Sequence, residues 1–197
     1  MRIARKFFLG YVSSSYILTY KKKMDFPVVP IHKHPKYKLE CCKLINDEWK
    51  RSETARMRSL DCSSDKLPTS LILLDENDRV IGHCKLSPIP SIPGSCYIES
   101  VVILKDLRGK GYGTYLMKRA EEYCKNVLKL KVIYLSTKGQ EPFYTKLGYL
   151  ICQPVSIYGS FISNNTINVK NENSINVNNN CNINTVNGKT YMCKYIA

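Results

Sequence analysis

Hydrophobic spacing along the chain switches between a helical period of three to four residues and the short apolar or alternating runs of strands. Over residues 39–50 the apolar positions Leu39, Cys42, Ile45 and Trp49 recur every three to four residues, which predicts an amphipathic helix. A polar, basic stretch follows over 51–60, and then a loop over 61–66. Residues 67–74 are apolar enough for a buried strand, Asp75-Glu76-Asn77-Asp78 supplies hairpin-turn chemistry, and 79–86 returns as the partner strand. After the proline-rich 88–93, the Val- and Ile-rich segment 97–104 predicts a third strand, because β-branched side chains suit a pleated, half-buried surface. A glycine-rich turn over 108–113 opens a helix whose Leu116, Met117, Ala120, Tyr123, Cys124, Val127 and Leu128 keep the helical period. Segments 131–137, 141–146 and 149–157 predict a strand, a short helix closed by Gly148, and another strand. The order β-β-β-α-β-α-β implies an α/β fold with a mixed central sheet flanked by helices, neither doubly wound nor a TIM barrel.

Two segments break this pattern. Residues 20–38 carry Pro27, Pro30 and Pro35 together with Lys21-Lys22-Lys23, so 1–38 is expected to be a flexible basic arm leading into the domain. Between 164 and 187, twelve of 24 residues are Asn, a low-complexity composition expected to be disordered. Strand-like alternation returns at Thr190-Tyr191-Met192-Cys193-Lys194-Tyr195-Ile196, which makes 163–188 a loop inserted before a last strand rather than a tail. The domain is therefore expected over 39–162 and 189–197.

Charge narrows the choice of partner. Thirty Lys and Arg against sixteen Asp and Glu leave a net +14, which favours nucleic acid, an anionic membrane surface, a phosphate-rich cofactor or an acidic peptide. Nine basic residues and one acid fall within 1–38, a net of +8, leaving +6 for the rest. No run of 18 apolar residues occurs, so no membrane span is expected. The nine Cys show no metal-ligand spacing, and their odd number argues against a disulfide framework. Reduced thiols in a cytoplasmic or nuclear protein, with no metal, are the simpler expectation. The acid-free opening up to Asp25 also suits a mitochondrial presequence, the alternative to a basic tail.

The stretch richest in chemistry is Arg108-Gly109-Lys110-Gly111-Tyr112-Gly113-Thr114, between a predicted strand and a predicted helix. Successive backbone N–H groups at a helix N-terminus cradle a pyrophosphate, and glycine lets phosphate oxygens approach where a Cβ would block them. Arg108 and Lys110 add positive charge. A Walker A loop would need Gly-Lys-Ser/Thr at its end, and the dinucleotide fingerprint a Gly at position 114. Neither fits. The pattern R-x-x-G-x-G fits on Arg108, Gly111 and Gly113; on these residues alone, a surface turn without a ligand is the alternative.

Glu99-Ser100-Val101-Val102-Ile103-Leu104, then Leu107-Arg108-Gly109-Lys110-Gly111-Tyr112-Gly113, then Phe143-Tyr144-Thr145-Lys146-Leu147-Gly148-Tyr149 resemble the GNAT acetyltransferase superfamily in order and separation. The resemblance implies acetyl-CoA in a cleft between splayed strands, along the backbone of Val101, Val102 and Ile103. It sets the pyrophosphate on Gly109, Lys110, Gly111, Tyr112, Gly113 and Thr114 beside Arg108, and Gln140 matches a further cofactor contact. Ile45-Asn46-Asp47-Glu48-Trp49-Lys50-Arg51-Ser52, Arg56, Ser59-Leu60, Ser63-Ser64-Asp65 and Gly82-His83 are similar, more narrowly, to the actin N-terminal acetyltransferases. This likeness covers roughly 39–157 and the last strand. It implies a peptide-binding segment at Arg51, Arg56, Met57, Arg58 and Ser59, with Trp49 either walling it or anchoring the first helix. The implied partner is the acidic N-terminus of processed actin, met by a monomer. Animal members of that group carry a proline-rich loop where this chain is Asn-rich, which puts profilin-assisted capture of actin in doubt.

Three Arg within 51–58 suit an acidic peptide, since each guanidinium can take a carboxylate with two hydrogen bonds; a solvated helix face is the alternative. A free α-amino group titrates near pH 8, so transfer needs only a weak base or a water relay. Glu99 and His83 are the candidates for that base, the alternatives being a surface strand residue and a hydrogen-bonded sheet residue. Tyr144, whose equivalent in many GNAT enzymes stands beside the CoA sulfur, is the candidate acid for the leaving thiolate, and a backbone N–H near Val102 would polarise the thioester oxygen. Cys84 and Cys96 lie in no Cys-His-Asp/Asn order, so direct transfer is expected. Acetylation of a lysine or small molecule is the competing enzymatic reading. A nucleic-acid or membrane-surface module built on 1–38 is the non-enzymatic one, and no stacking-aromatic motif there supports a nucleic-acid partner.

Overall fold

The computed structural model of the protein describes residues 25–157 and 188–196. Strands β1 (Val28–Pro30), β2 (Thr69–Leu74), β3 (Val80–Pro88), β4 (Ser95–Ile103), β5 (Val132–Thr137), β6 (Leu150–Ile151) and β7 (Thr190–Tyr195) form one sheet in the order β1-β2-β3-β4-β5-β7-β6. All pairings are antiparallel except β4 with β5. Helices α1 (Lys38–Glu48) and α2 (Glu53–Asp61) precede β2, α3 (Tyr112–Asn126) joins β4 to β5, and α4 (Glu141–Lys146) joins β5 to β6. The last strand enters between β5 and β6, so the expected return of the chain into the sheet is present. The arm up to residue 24 and the Asn-rich stretch 164–187 lie outside the described residues.

Helices on both sides explain why all six residues of β2 are buried. On one face Leu71, Leu73, Cys84, Leu86 and Ile98 pack against Leu116, Met117, Ala120 and Cys124 of α3. On the other, Ile72, Leu74, Val80 and Val102 meet Cys41, Cys42, Leu44 and Ile45 of α1 and Leu60 of α2. Gly82 sets how closely these layers approach: a Cβ there would stand 2.7 Å from Ile103 Cδ1 and 3.4 Å from Leu116 Cδ2.

Four elements differ from the sequence expectation. The face of α1 is rotated: Cys41 and Leu44 are buried beside Cys42 and Ile45, whereas Leu39 is 47% and Trp49 44% exposed. Residues 25–38, expected in the arm, belong to the fold. β1 pairs with β2, Ile31 is fully buried, and Tyr115 Oη both donates to Phe26 O (2.9 Å) and accepts from Phe26 N (3.1 Å). The prolines mislead here because an edge strand tolerates a missing N–H. Only Leu150 and Ile151 of the strand expected over 149–157 pair as β6, again at the sheet edge. The basic stretch 51–60 is mostly helix α2, started by Ser52, whose Oγ accepts from Ala55 N at 3.2 Å.

Candidate active site

Parallel pairing of β4 with β5 begins at Ser95↔Val132 and stops at Ile98↔Leu135. Beyond it β5 continues against β7 as far as Thr137↔Thr190, while β4 continues against β3 to Ile103. The two strands therefore part at Glu99, and among the described residues the β5-facing edge of 99–103 has no strand partner. A bulge accompanies the parting. Between the pairs Lys85↔Glu99 and His83↔Val102, β4 has one residue more than β3, and Ser100 takes a left-handed φ of 54°. Bulges bend a strand and raise its twist, which turns the end of β4 away from β5. Val101, Val102 and Ile103 thus lie on this unpaired edge. Backbone N–H and C=O groups there are suited to an amide-bearing chain laid alongside as though it were a strand.

His83 holds the bulge. Its Nδ1 lies 3.0 Å from Ser100 O and donates to it, which leaves Nε2 as the lone-pair nitrogen, buried and without a partner. Complete burial lowers the His83 pKa to about 4, so the ring is neutral near pH 7. Its one donor is committed to the bulge and its acceptor is sealed in the core. The residue expected as a possible base is placed instead as a prop for the strand.

Glu99, at the parting point, carries the accessible carboxylate. Ser87 Oγ donates to Glu99 Oε1 at 2.7 Å, and Lys85 Nζ lies 3.3 Å from the same oxygen. Lys85 Nζ also lies 3.4 Å from Ser59 Oγ on α2, so it bridges β3, β4 and the expected peptide-binding helix. Neither Lys85 nor Ser87 is among the residues that the motifs mark. Their signal is the alternation of His83, Lys85 and Ser87 along a strand that is otherwise buried and apolar.

Tyr144 stands in the other core, buried and edge-on to Phe143 (4.9 Å between centroids) and Tyr149 (5.8 Å). Burial, with Cys84 and Tyr97 nearby, raises its pKa to about 12, so the phenol keeps its proton at neutral pH. The phenol can therefore donate a proton, though burial makes it a weaker acid than a free tyrosine. Gln140 is exposed at the start of α4, and its carbonyl accepts from Phe143 N (3.1 Å) and Tyr144 N (3.3 Å).

The glycine turn leads into the fifteen-residue α3. Gly109 (φ 73°) and Gly111 (φ 92°) are left-handed, and Gly111 is the N-cap of the helix. Such a path suits glycine and lines up the N–H groups of Tyr112, Gly113 and Thr114 at the positive end of the helix dipole. A Cβ on Gly113 would meet Phe143 Cζ at 3.5 Å, which sets the turn against α4. Lys110 is exposed. Arg108 is turned back: Nε donates to Ile103 O (2.9 Å) and Nη2 to Glu48 Oε2 (2.7 Å). Its side chain ties the turn to β4 and α1, so its charge is partly taken by Glu48.

The expected peptide-binding residues divide in the same way. Arg51 and Arg58 are exposed, and Met57 packs partly buried against the α1 core. Arg56 is a strut: Nε donates to Asn46 Oδ1 (3.0 Å) and Nη2 to Trp49 O (2.9 Å), joining α2 to the end of α1. Burial and the neighbouring Arg51 lower its pKa. Trp49 follows the last residue of α1 at the surface and belongs to neither core cluster. Among the described residues no group of three or more His, Cys, Asp or Glu could hold a metal, and no helix is long and apolar enough to cross a membrane.

Residues 37–149 match the acetyltransferase (GNAT) family. N-alpha-acetyltransferase 80 of Mus musculus is 37% identical over 127 residues, which cover 61% of this chain and 40% of that protein. The chain thus matches less than half the length of that relative. An aminoglycoside 6'-N-acetyltransferase solved with coenzyme A has a TM-score of 0.62 at 14% identity, over 87% of this chain and 97% of that one. A GNAT-family acetyltransferase from Staphylococcus aureus Mu50 has a TM-score of 0.58 at 12% identity, over 88% of this chain and all of that one. At such identities the two solved structures speak for the fold alone.

Proposed function

This chain belongs to the GNAT acetyltransferase family, and we propose that it moves the acetyl group of acetyl-CoA to the free N-terminal amine of an acidic chain, processed actin above all. The observation that carries this reading is Glu99, a carboxylate at the point where β4 and β5 part, one lysine away from a helix that bears the exposed Arg58, with the exposed Arg51 just before it. The 37% identity to a mouse N-alpha-acetyltransferase supports the choice of an α-amine. A polyamine or aminoglycoside would meet a chain of net charge +14, which repels it.

In the proposed reaction the free edge of Val101–Ile103 pairs with the amide-rich arm of acetyl-CoA, and the turn from Gly109 to Thr114 holds its pyrophosphate. Glu99 accepts a proton from the α-ammonium, directly or through one water. The freed amine attacks the thioester carbonyl, whose oxygen a backbone N–H near Val102 polarises. As the C–N bond forms and the C–S bond breaks, Tyr144 gives its proton to the departing sulfur. Starting from the ammonium, the nitrogen gives up two protons, one to Glu99 before attack and one as the tetrahedral adduct collapses. The sulfur gains one through Tyr144, whose phenol is then reprotonated, and Glu99 passes the net proton to solvent. The acetyl group moves directly from sulfur to nitrogen, with no covalent enzyme intermediate. We place the enzyme in the cytoplasm, working as a monomer and without profilin. Mass spectrometry of the actin N-terminus in cells lacking this protein tests the substrate: loss of the acetyl group is expected, and an unchanged N-terminal mass would refute actin as the target.

A further inference from the structure

We propose that Lys85 determines specificity by exchanging partners: a side-chain carboxylate near the start of the substrate draws the Lys85 ammonium away from Glu99, and this frees Glu99 to accept the proton of the attacking amine. The inference rests on the acidic-N-terminus reading above and adds the residue and the device that would enforce it.

Four observations carry it. Lys85 Nζ is shared between Glu99 Oε1 at 3.3 Å and Ser59 Oγ at 3.4 Å, so neither contact is short enough to fix it. Lys85 and Glu99 side chains are only 22% and 29% exposed, where an ionic contact counts for more than at an open surface. Ser87 Oγ holds the same Oε1 at 2.7 Å, so Glu99 stays in place when Lys85 leaves. Arg56, the other cation near His83, already has two N–H groups committed to Asn46 and Trp49. Lysine suits an exchange because its flexible stem carries three rotatable donors, where arginine presents a rigid fork.

The chemical consequence is direct. With the Lys85 ammonium 3.3 Å from Oε1, an incoming α-ammonium must compete with a like charge for the same carboxylate. An acidic substrate brings the competing carboxylate with it. A substrate with a neutral first residue leaves the pair intact and reacts slowly even when bound. Specificity would then appear in turnover as well as in binding.

The test is a comparison of wild type, Lys85→Met and Lys85→Arg with peptides that begin Asp-Asp-Asp and Ala-Ala-Ala. In wild type the acidic peptide should be preferred. Lys85→Met should lower kcat/KM for the acidic peptide about 10- to 100-fold through KM, while kcat for the neutral peptide rises or holds. That split, a loss on the acidic peptide carried by KM with kcat for the neutral peptide undiminished, is one a merely structural lysine would not give. Lys85→Arg should keep the acidic preference with a lower kcat, and it serves if Lys85→Met fails to fold. Equal losses on both peptides, or an undiminished acidic preference in Lys85→Met, would overturn the exchange while leaving the acidic substrate standing. A wild type indifferent to acidity would instead refute the acidic-substrate reading, and the exchange with it.

Discussion

Replacing Arg56 with methionine separates two roles that the sequence alone leaves merged. Methionine keeps an unbranched apolar stem and removes every donor. The guanidinium now gives one hydrogen bond to Asn46 Oδ1 at 3.0 Å and one to Trp49 O at 2.9 Å. A hydrogen bond from a charged group contributes about 1.5–3 kcal/mol when buried, and less where water can replace the donor. Because the Trp49 carbonyl can be solvated and the Asn46 amide is only partly buried, about 2 kcal/mol for the pair is a reasonable magnitude. For a chain of this size that corresponds to a Tm lower by about 4–8 °C, or a urea midpoint lower by about 1 M. The loss of α1–α2 geometry should reduce kcat/KM on acidic and neutral peptides alike, since the fork serves the helix junction and not the substrate. Urea unfolding, with peptide kinetics on the same preparation, is the assay. An unchanged midpoint with a loss confined to acidic peptides would refute the strut and return Arg56 to the peptide.

Three further outcomes follow from the geometry. Tyr144→Phe removes the phenolic proton and keeps the ring, so kcat should fall roughly 10²-fold while acetyl-CoA affinity measured by calorimetry holds; near-normal turnover would reduce Tyr144 to packing. His83 is neutral in the fold, with its pKa depressed from 6.5 to about 4, so between those values the unfolded chain binds a proton that the native state does not. Stability should therefore fall by up to about 3 kcal/mol as pH drops from 6.5 towards 4, and His83→Gln should flatten that part of the urea-midpoint profile; an identical profile would contradict the buried neutral ring. Gly111→Val puts a β-branched side chain at φ 92° in the turn proposed to hold the pyrophosphate, so it should abolish acetyl-CoA binding and also cost stability, at least about 1–2 kcal/mol. Gly113→Ala, whose Cβ makes an ordinary 3.5 Å contact with Phe143, should keep the fold, and titration that finds normal affinity in Gly111→Val would place the pyrophosphate elsewhere.

Elements whose burial repeats in sequence were legible from the chain itself. The strands from β2 to β5, the long helix α3, the short α4 and the return of β7 all announce themselves, because their periodicity reflects one face against a core. The glycine turn was legible for a different reason: only glycine takes its left-handed steps cheaply, so the backbone path is written in residue type. β1 was not. Three residues with a proline carry no period, and their pairing depends on an edge of β2 that no local pattern specifies.

The site was decided by contacts distant in sequence. Ser100, in the left-handed region without being glycine, sits in a bulge that no residue type marks, and it is stabilised by His83, seventeen positions earlier. Arg56 and Arg108 look like free charges in the sequence, yet the fold binds them to Asn46, Trp49, Ile103 and Glu48. Lys85 looks like one more surface lysine until β3, β4 and α2 bring Glu99 and Ser59 to its ammonium. Sequence determined which segments could form a sheet with a glycine turn leading into a long helix, because periodicity and glycine are local properties. Tertiary structure alone decided which charges are spent on the fold and which remain for chemistry, because a charge's role depends on partners that only folding supplies.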